Sequence, residues 1–433
     1  CIDKFIIDII HPKEDVFFML LRFEVKNYRS FRDEAILDME AVGLADHKDC
    51  LLSFRNDDYL PVISINGKNG GGKSNIVRAM WLSTQFIKNA QRTQYESAEI
   101  PISPFELNDY SKDEPSSFEY EYEDDGVWYC YGFSATKKEV CEEHLYWSPK
   151  GQKSLVFKRD YQEFTFPANK DKKIKEMISK TVGPNQLFFA LSCTMNYEPC
   201  IKAMKWFRTK LFFSKDYRDL GANLIDYSED KEMLRSITNI AKVADLGISD
   251  MKFEFDNKQI DSIDDLPDDV VRAFKENLNG KLQYNELKAS SYHYGVDLNG
   301  LKKEYELTLD DESDGTLKLM SRAIAMESAL KNGGVFIIDE IEDKLHPILV
   351  EYIINRFQQN NPSKAQLIFT THSIDIMNRE LLRRDQYYLV NKDSSTGVSE
   401  LYSVADFSVR NDEKIGKAYL LGKYGAIPYI KED

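Results

Sequence analysis

The chain has 433 residues, of which 42% are hydrophobic and 30% charged, enough for a large core and two or three domains and unlike a disordered chain. Its formal net charge of −15 argues against a protein whose main task is to coat nucleic acid or an anionic membrane. No apolar run approaches the ~20 residues of a membrane span, and the six cysteines are scattered with no Cys-x-x-Cys pair, as suits reduced cytoplasmic thiols.

Residues 1–18 carry acids and lack a basic segment followed by a clean apolar stretch, so they read as an appendage and not as a secretory signal. From Met19, Leu20–Val25 alternates as a strand, and Arg32–Met39 alternates as its hairpin partner. Val62–Ile65 is a short apolar strand running into a glycine-rich turn, and Asn75–Lys88 follows with helical spacing at Ile76, Val77, Met80, Trp81 and Phe86. Phe118–Phe166 breaks into short β-like runs separated by turns such as Asp124-Asp125-Gly126, the pattern of an antiparallel meander. Helical spacing dominates Lys172–Val243, strands return over 250–310, and from 316 to 385 helices alternate with the apolar strands Val335–Ile338 and Gln366–Thr370. That last alternation predicts a parallel sheet with crossover helices.

Gly67-Lys68-Asn69-Gly70-Gly71-Gly72-Lys73-Ser74 fits the phosphate-loop pattern G-x-x-x-x-G-K-[ST] in full, between a strand and a helix as the pattern requires. Backbone N–H groups that close around phosphate oxygens need residues without Cβ, and the following helix points its N-terminus at the anion. Lys73 would reach the β- and γ-phosphates, Asn69 to Gly72 would line the cradle, and Ser74 would ligate Mg²⁺. Val335–Ile338 ends in Asp339-Glu340, where Asp339 would complete the Mg²⁺ shell and Glu340 would orient or deprotonate the attacking water. One helix and one strand later, Thr371-His372-Ser373 would bring His372 to the γ-phosphate or the water. Ser313-Asp314-Gly315-Thr316 opens a long helix, as an anion-binding element or as a plain helix cap.

The order of these four elements resembles that of ABC-type ATPase heads, in the subset shared by SMC, RecF and OLD-type proteins. Lys26-Asn27-Tyr28-Arg29-Ser30-Phe31 is similar to the opening of that subset, Ser313–Thr316 to its degenerate signature, Asp339–Pro347 to its acidic strand end with His346 at the D-loop, and His372 to its switch histidine. The run Leu420–Pro428 and the segment Phe105–Phe118 resemble the AAA-type ATP-binding proteins of bacterial anti-phage systems, of which RloA, AbiL and the AriA component of PARIS are examples. The resemblance implies an α/β fold, an ABC-ATPase head with a P-loop NTPase parallel sheet and an antiparallel β-subdomain, plus an inserted helical subdomain. Its domains would be an appendage 1–18, an N-terminal ATPase lobe 19–170, a helical insertion 171–249 and a C-terminal ATPase lobe 250–433. It also implies ATP and Mg²⁺ as cofactors and a homodimer through the ATP sites, with a higher oligomer left open. In that dimer Ser313 and Gly315 would close the γ-phosphate held by Lys73 of the other copy, Arg29 and Ser30 would lie near the nucleotide, and Asp314 would slow hydrolysis or favour stable ATP binding. Phe105–Asn108 is a weak candidate for the Q-loop.

The function expected from this resemblance is a cytoplasmic ATP hydrolase that acts as sensor and scaffold for a separate effector, a Toprim-type nuclease, in phage defence, without membrane association. A RecF-like ATPase that binds DNA directly is the alternative. Direct nucleic-acid contact is disfavoured by the net charge, although Lys202, Lys205, Arg208, Lys210, Lys215 and Arg218 interleave with Trp206, Phe207, Phe212, Phe213 and Tyr217. A self-contained OLD-type nuclease is disfavoured because Ser373–Asp433 is shorter than the roughly hundred residues a Toprim core takes.

Overall fold

The computed structural model describes residues 18–89, 99–168, 171–214, 217–244, 247–260, 282–359, 361–408 and 413–427. Residues 1–17 of the appendage and Lys215 lie outside the described residues, and Phe18, the appendage's last residue, already belongs to the first strand. In chain order the strands are β1 (Phe18–Lys26), β2 (Ala35–Asp38), β3 (Leu52–Phe54), β4 (Asp57–Tyr59) and β5 (Val62–Asn66). The helix α1 (Lys73–Asn89) leads to β6 (Ser116–Asp124), β7 (Val127–Ala135), β8 (Val140–Ser148), β9 (Ser154–Asp160) and β10 (Glu163–Thr165). After helices at Lys172–Ser179, Phe188–Thr194 and Glu198–Thr209 comes β11 (Leu211–Phe213). Two further helices, Leu220–Ile225 and Lys231–Val243, precede β12 (Ile248–Ile260), β13 (Leu282–Val296) and β14 (Lys302–Thr308). The rest is the helix Asp314–Asn332, β15 (Val335–Ile338), the helix Pro347–Gln358, β16 (Gln366–Thr370), β17 (Tyr387–Lys392), β18 (Ser399–Ser403) and the helix Ile415–Leu420.

β12-β13-β14 and β3-β4 form two smaller sheets, and the other thirteen strands form the two expected ones. One is antiparallel, in the order β10-β9-β8-β7-β6-β1-β2; the other is ordered β11-β15-β16-β5-β17-β18, parallel from β11 to β17, with β18 antiparallel at its edge. The parallel strands β5, β15 and β16 are buried along their whole length, as strands covered on both faces must be. β6 alternates instead: Phe118, Tyr120 and Tyr122 are buried, Glu119 and Glu121 only partly so. The helix α1 bridges the sheets. It packs on β16, while Ser83 Oγ meets the Tyr120 hydroxyl at 2.7 Å and Tyr120 donates to Met80 O at 3.1 Å.

Two compact units divide the chain: Cys1–Phe213, Ala329–Asp343 and Val350–Asp433 form one, Ser214–Ser328 and Lys344–Leu349 the other. The inserted unit thus starts at Ser214, not at residue 171, and extends beyond 249 through β12–β14. The reason lies in what each helix buries. The helices of 172–209 place Phe188, Phe189, Trp206 and Phe207 in the first core, where Trp206 stacks on Tyr122 with centroids 4.4 Å apart. The helices of 220–243 instead bury Leu224, Met233 and Ile237 with Met251, Met320 and Ile324 in a separate cluster. No helix among the described residues is long and apolar enough to cross a membrane.

Candidate functional site

The phosphate-loop residues leave the carboxyl edge of the parallel sheet. Ile65 pairs with Thr370, and Ile338 with Phe369, so Gly67, Asp339 and Thr371 emerge on one edge, where open α/β sheets place their ligand crevice. Lys73 and Ser74 open α1. The loop is clasped from behind. Gly67 has φ 147°, and a Cβ there would stand 2.4 Å from Val390 O. Gly72, at φ 114°, would put one 2.7 Å from both Ser30 Oγ and Ser399 Oγ. Ser399 donates from Oγ to Gly71 O (2.6 Å) and from its backbone N–H to Ser30 O (2.7 Å), and Asn75 Nδ2 donates to Ser30 Oγ at 2.8 Å. Lys68 N–H donates to Ala426 O (3.0 Å), so the Leu420–Ile427 segment packs on the loop. Nothing stands within 4 Å of a Cβ built on Gly70, and Asn69 and Gly70 are exposed at the tip.

Lys73 is 4% exposed. Its ammonium donates to Gly67 O (2.7 Å), Lys68 O (3.2 Å) and His372 Nδ1 (3.0 Å). Burial lowers its pKa, and Glu342, Glu340 and Asp339 act against that. An ammonium has no lone pair, so His372 Nδ1 is the acceptor and the ring proton sits on Nε2, which donates to Glu340 Oε1 at 3.2 Å. Lysine, histidine and glutamate therefore form one chain across the crevice.

The acidic strand end is held by Thr370, which is fully buried; it donates to Asp339 Oδ1 (2.6 Å) and accepts from Glu340 N–H (2.7 Å). Glu340 has φ 51°, a left-handed conformation costly for a residue with a side chain and one that clusters at functional sites. Its side chain is half exposed. Glu342 Oε1 accepts the His372 N–H at 2.5 Å, while its Oε2 is buried with no hydrogen-bond partner. Oxygen donors of this kind, Ser74 Oγ, the Asp339 carboxylate and that unpartnered oxygen, suit a hard divalent cation accompanying phosphates.

Lys73, Asp339, Glu340 and His372 thus belong to one site, with Ser30 against its loop. Arg29 is exposed at φ 51° and turns its guanidinium toward the Tyr28 hydroxyl, 3.3 Å away. Ser313 and Gly315 belong to the second unit. There Ser313 is exposed and caps its helix, accepting from Thr316 N–H at 3.1 Å. Phe105, in the Q-loop candidate, is buried with its N–H on Asn27 Oδ1 (3.1 Å), which gives that segment a structural anchor. Sequence reasoning missed Thr370, Glu342, Val390 and Ser399. The sequence signal for the β17–β18 hairpin that carries the last two is the apolar run Tyr387–Val390 followed by the turn Asp393–Gly397.

No curated protein matches the chain. Among solved structures it is similar to an SMC head bound to the C-winged helix domain of ScpA (11% identity, 89% of this chain and 97% of that one covered, TM-score 0.41). It is similar also to the SMC head domain from Thermotoga maritima (13% identity, coverage 90% and 99%, TM-score 0.38). A third is an SMC head domain with an extended coiled coil, bound to the C-terminal domain of ScpA, derived from Pyrococcus furiosus (11% identity, coverage 94% and 99%, TM-score 0.39). Residues 62–378, from β5 to just beyond His372, match the family described as "AAA domain, putative AbiEii toxin, Type IV TA system", and the chain belongs to that family as an AAA-type P-loop ATPase.

Proposed function

We propose that the chain binds ATP with Mg²⁺ on the Gly67–Ser74 loop, hydrolyses it between two copies of itself, and acts as a sensor and scaffold for a separate effector, a Toprim-type nuclease, in bacterial phage defence. The hydrogen-bonded chain Lys73–His372–Glu340 carries the reading, because it joins the phosphate-binding lysine to a carboxylate on the crevice edge. Lys73 exchanges its bonds to Gly67 O and Lys68 O for phosphate oxygens. Ser74 and Asp339 hold Mg²⁺, which supplies charge neutralisation at the phosphates. Glu340 orients the attacking water and takes its proton on a carboxylate oxygen. His372 Nε2–H keeps Glu340 in place beside the water.

A second copy enters through Ser313 and Gly315. Both lie at the start of the 19-residue helix Asp314–Asn332, and a helix N-terminus favours an anion such as a γ-phosphate bound by the other copy. The defence role is supported by the resemblance of Leu420–Pro428 and Phe105–Phe118 to anti-phage ATPases, and by the family's own description as a putative AbiEii toxin.

The RecF-like alternative loses its main support. Trp206 and Phe207 are fully buried and Lys202 pairs with Glu198 at 2.8 Å on the same helix, Glu198–Thr209, while beyond it Lys210 donates to Asn332 O (2.6 Å) and Phe212 and Phe213 lie in β11. The test is the mass in solution of Glu340→Gln with ATP. A stable dimer that appears only with nucleotide supports the reading; a monomer with ATP fully bound overturns it. DNA binding measured against salt with and without ATP separates the alternative.

A further inference from the structure

The outward face of the antiparallel sheet carries a second constellation. Glu119 on β6, Gly132 on β7 and His144 on β8 stand side by side in register, and Cys130 lies two residues along β7 on the same face. His144 Nε2 is 3.0 Å from Glu119 Oε2 and 3.8 Å from Cys130 Sγ, and the three donor atoms all lie within 4.8 Å of one another. From these positions we propose that Glu119, Cys130 and His144 form a binding site for a transition-metal ion of the zinc class, separate from the Mg²⁺ of the nucleotide site.

Three observations carry this. Carboxylate and thiol converge on the same imidazole nitrogen. A nucleophilic triad would need the thiol on one ring nitrogen and the carboxylate on the other; convergence on one point is what a central cation requires. The spacings are also right. Zn–S near 2.3 Å and Zn–N near 2.0–2.1 Å in a tetrahedron set donor atoms roughly 3.3–3.6 Å apart, and the His144–Glu119 and His144–Cys130 spacings of 3.0 and 3.8 Å lie within a few tenths of an ångström of that range. Finally, Gly132 makes the space. A Cβ there would sit 2.6 Å from His144 Cε1 and 3.1 Å from Glu119 Oε2, so only glycine lets the ring lie across β7.

The surroundings are acidic. Glu24 pairs in register with Glu119 on β1, and burial together with Glu34 and Glu119 raises its pKa to about 7. Arg22 binds Glu24 at 2.9 Å, and Lys158 stands opposite His144 on β9. A thiolate and an imidazole select zinc-class ions over Mg²⁺ and Ca²⁺. Binding releases the Cys130 thiol proton to solvent, and the partial exposure of Glu119 and His144 leaves a fourth position for water. The ion would staple three strands.

The test uses the full chain, purified without a metal-affinity tag and stripped with chelator, then titrated with Zn²⁺ against a chromophoric chelator in excess Mg²⁺. We expect one Zn²⁺ per chain, weakened at least tenfold in Cys130→Ser, His144→Gln and Glu119→Gln, whose metal-free melting temperatures show that they fold. With Co²⁺ the wild type should show a sulfur-to-cobalt charge-transfer band that Cys130→Ser lacks. Wild-type affinity in Cys130→Ser and His144→Gln, or no Zn²⁺ bound, overturns the proposal. Loss of the Zn²⁺ in His372→Ala also overturns it, by assigning the ion to the nucleotide site.

Discussion

Lys73 Nζ donates to His372 Nδ1 across 3.0 Å, which fixes the imidazole proton on the nitrogen that faces Glu340. The lysine therefore orients the ring toward the glutamate, and the three residues form one hydrogen-bonded unit.

Glu340→Gln should keep ATP affinity within a few-fold and lower turnover by about 10²–10⁴, the range for removal of a positioned general base. The amide still accepts the His372 N–H, so the crevice geometry survives. Turnover by a coupled phosphate assay, alongside equilibrium nucleotide binding, checks both halves; wild-type turnover would remove Glu340 from the reaction.

Lys73→Ala should lose nucleotide affinity and also release His372. Lys73→Arg should fare little better. The cage of Gly67 O, Lys68 O and His372 Nδ1 fits three donors on a compact ammonium, and a planar guanidinium presents its donors in another geometry. Isothermal titration with ATP would show binding lost or weakened at least tenfold in both.

Gly67→Ala tests the clasp behind the loop. The added Cβ would meet the Val390 carbonyl at 2.4 Å, a backbone atom of the neighbouring strand that cannot swing aside, at a φ of 147° that side chains avoid. A local cost of about 1–3 kcal/mol is expected for such a conformation even before the clash. A fall in melting temperature together with weaker ATP binding is the expected result. Gly70→Ala, with open space around the new Cβ, should cost only its positive φ.

How much of this was legible beforehand follows from how local each signal is. The loop Gly67–Ser74, the strand end Asp339-Glu340 and Thr371-His372 are short runs whose residue types state their chemistry, and each sits on the edge expected of it. Leu211–Phe213 was not legible as a strand. It is three residues long, follows a helix directly, and pairs in parallel with Val335–Ile337, far along the chain. The aromatic residues around it look equally like a binding patch, and only tertiary pairing distinguishes the two. Ser399 and Val390 were missed for the same reason. Their task is to support Gly67, Gly71 and Gly72 from an adjacent strand, and nothing near 390 or 399 in sequence announces a phosphate loop. The boundary near 171 failed because helical spacing shows that a segment is helical but not which core its apolar face enters.

Trp206 separates packing from recognition. It is fully buried and stacked on Tyr122, and its indole N–H has no hydrogen-bond partner. Trp206→Ala should therefore cost about 3–5 kcal/mol in denaturant unfolding, and Trp206→Phe less, because most of the ring area is kept and no hydrogen bond is lost. Lys202→Ala, on the exposed face of the same helix, should fall within about 0.5 kcal/mol. A residue that served nucleic-acid binding instead would lower DNA affinity without this loss of stability.

Glu123 supplies the pH dependence. It is fully buried at the β6–β7 turn, where its Oε1 accepts the Gly126 N–H and its Oε2 has no partner. Burial raises its pKa from 4.5 to about 8, with Asp124 and Asp125 adding repulsion. The folded state therefore holds a proton that the unfolded chain releases near pH 4.5. The associated stability is fully present below that pH and is lost as pH rises through about 8. Glu123→Gln, which cannot ionise, should escape the loss. Its melting temperature should match the wild type near pH 5 and exceed it by a growing margin toward pH 9. The free-energy difference should be a few kcal/mol at most, since a tenfold change in proton affinity is worth about 1.4 kcal/mol. Parallel melting curves for wild type and variant across that range would show the margin opening. If the two curves keep a constant offset from pH 5 to 9, Glu123 is already ionised in the folded protein and the turn stabilises the charge in some other way.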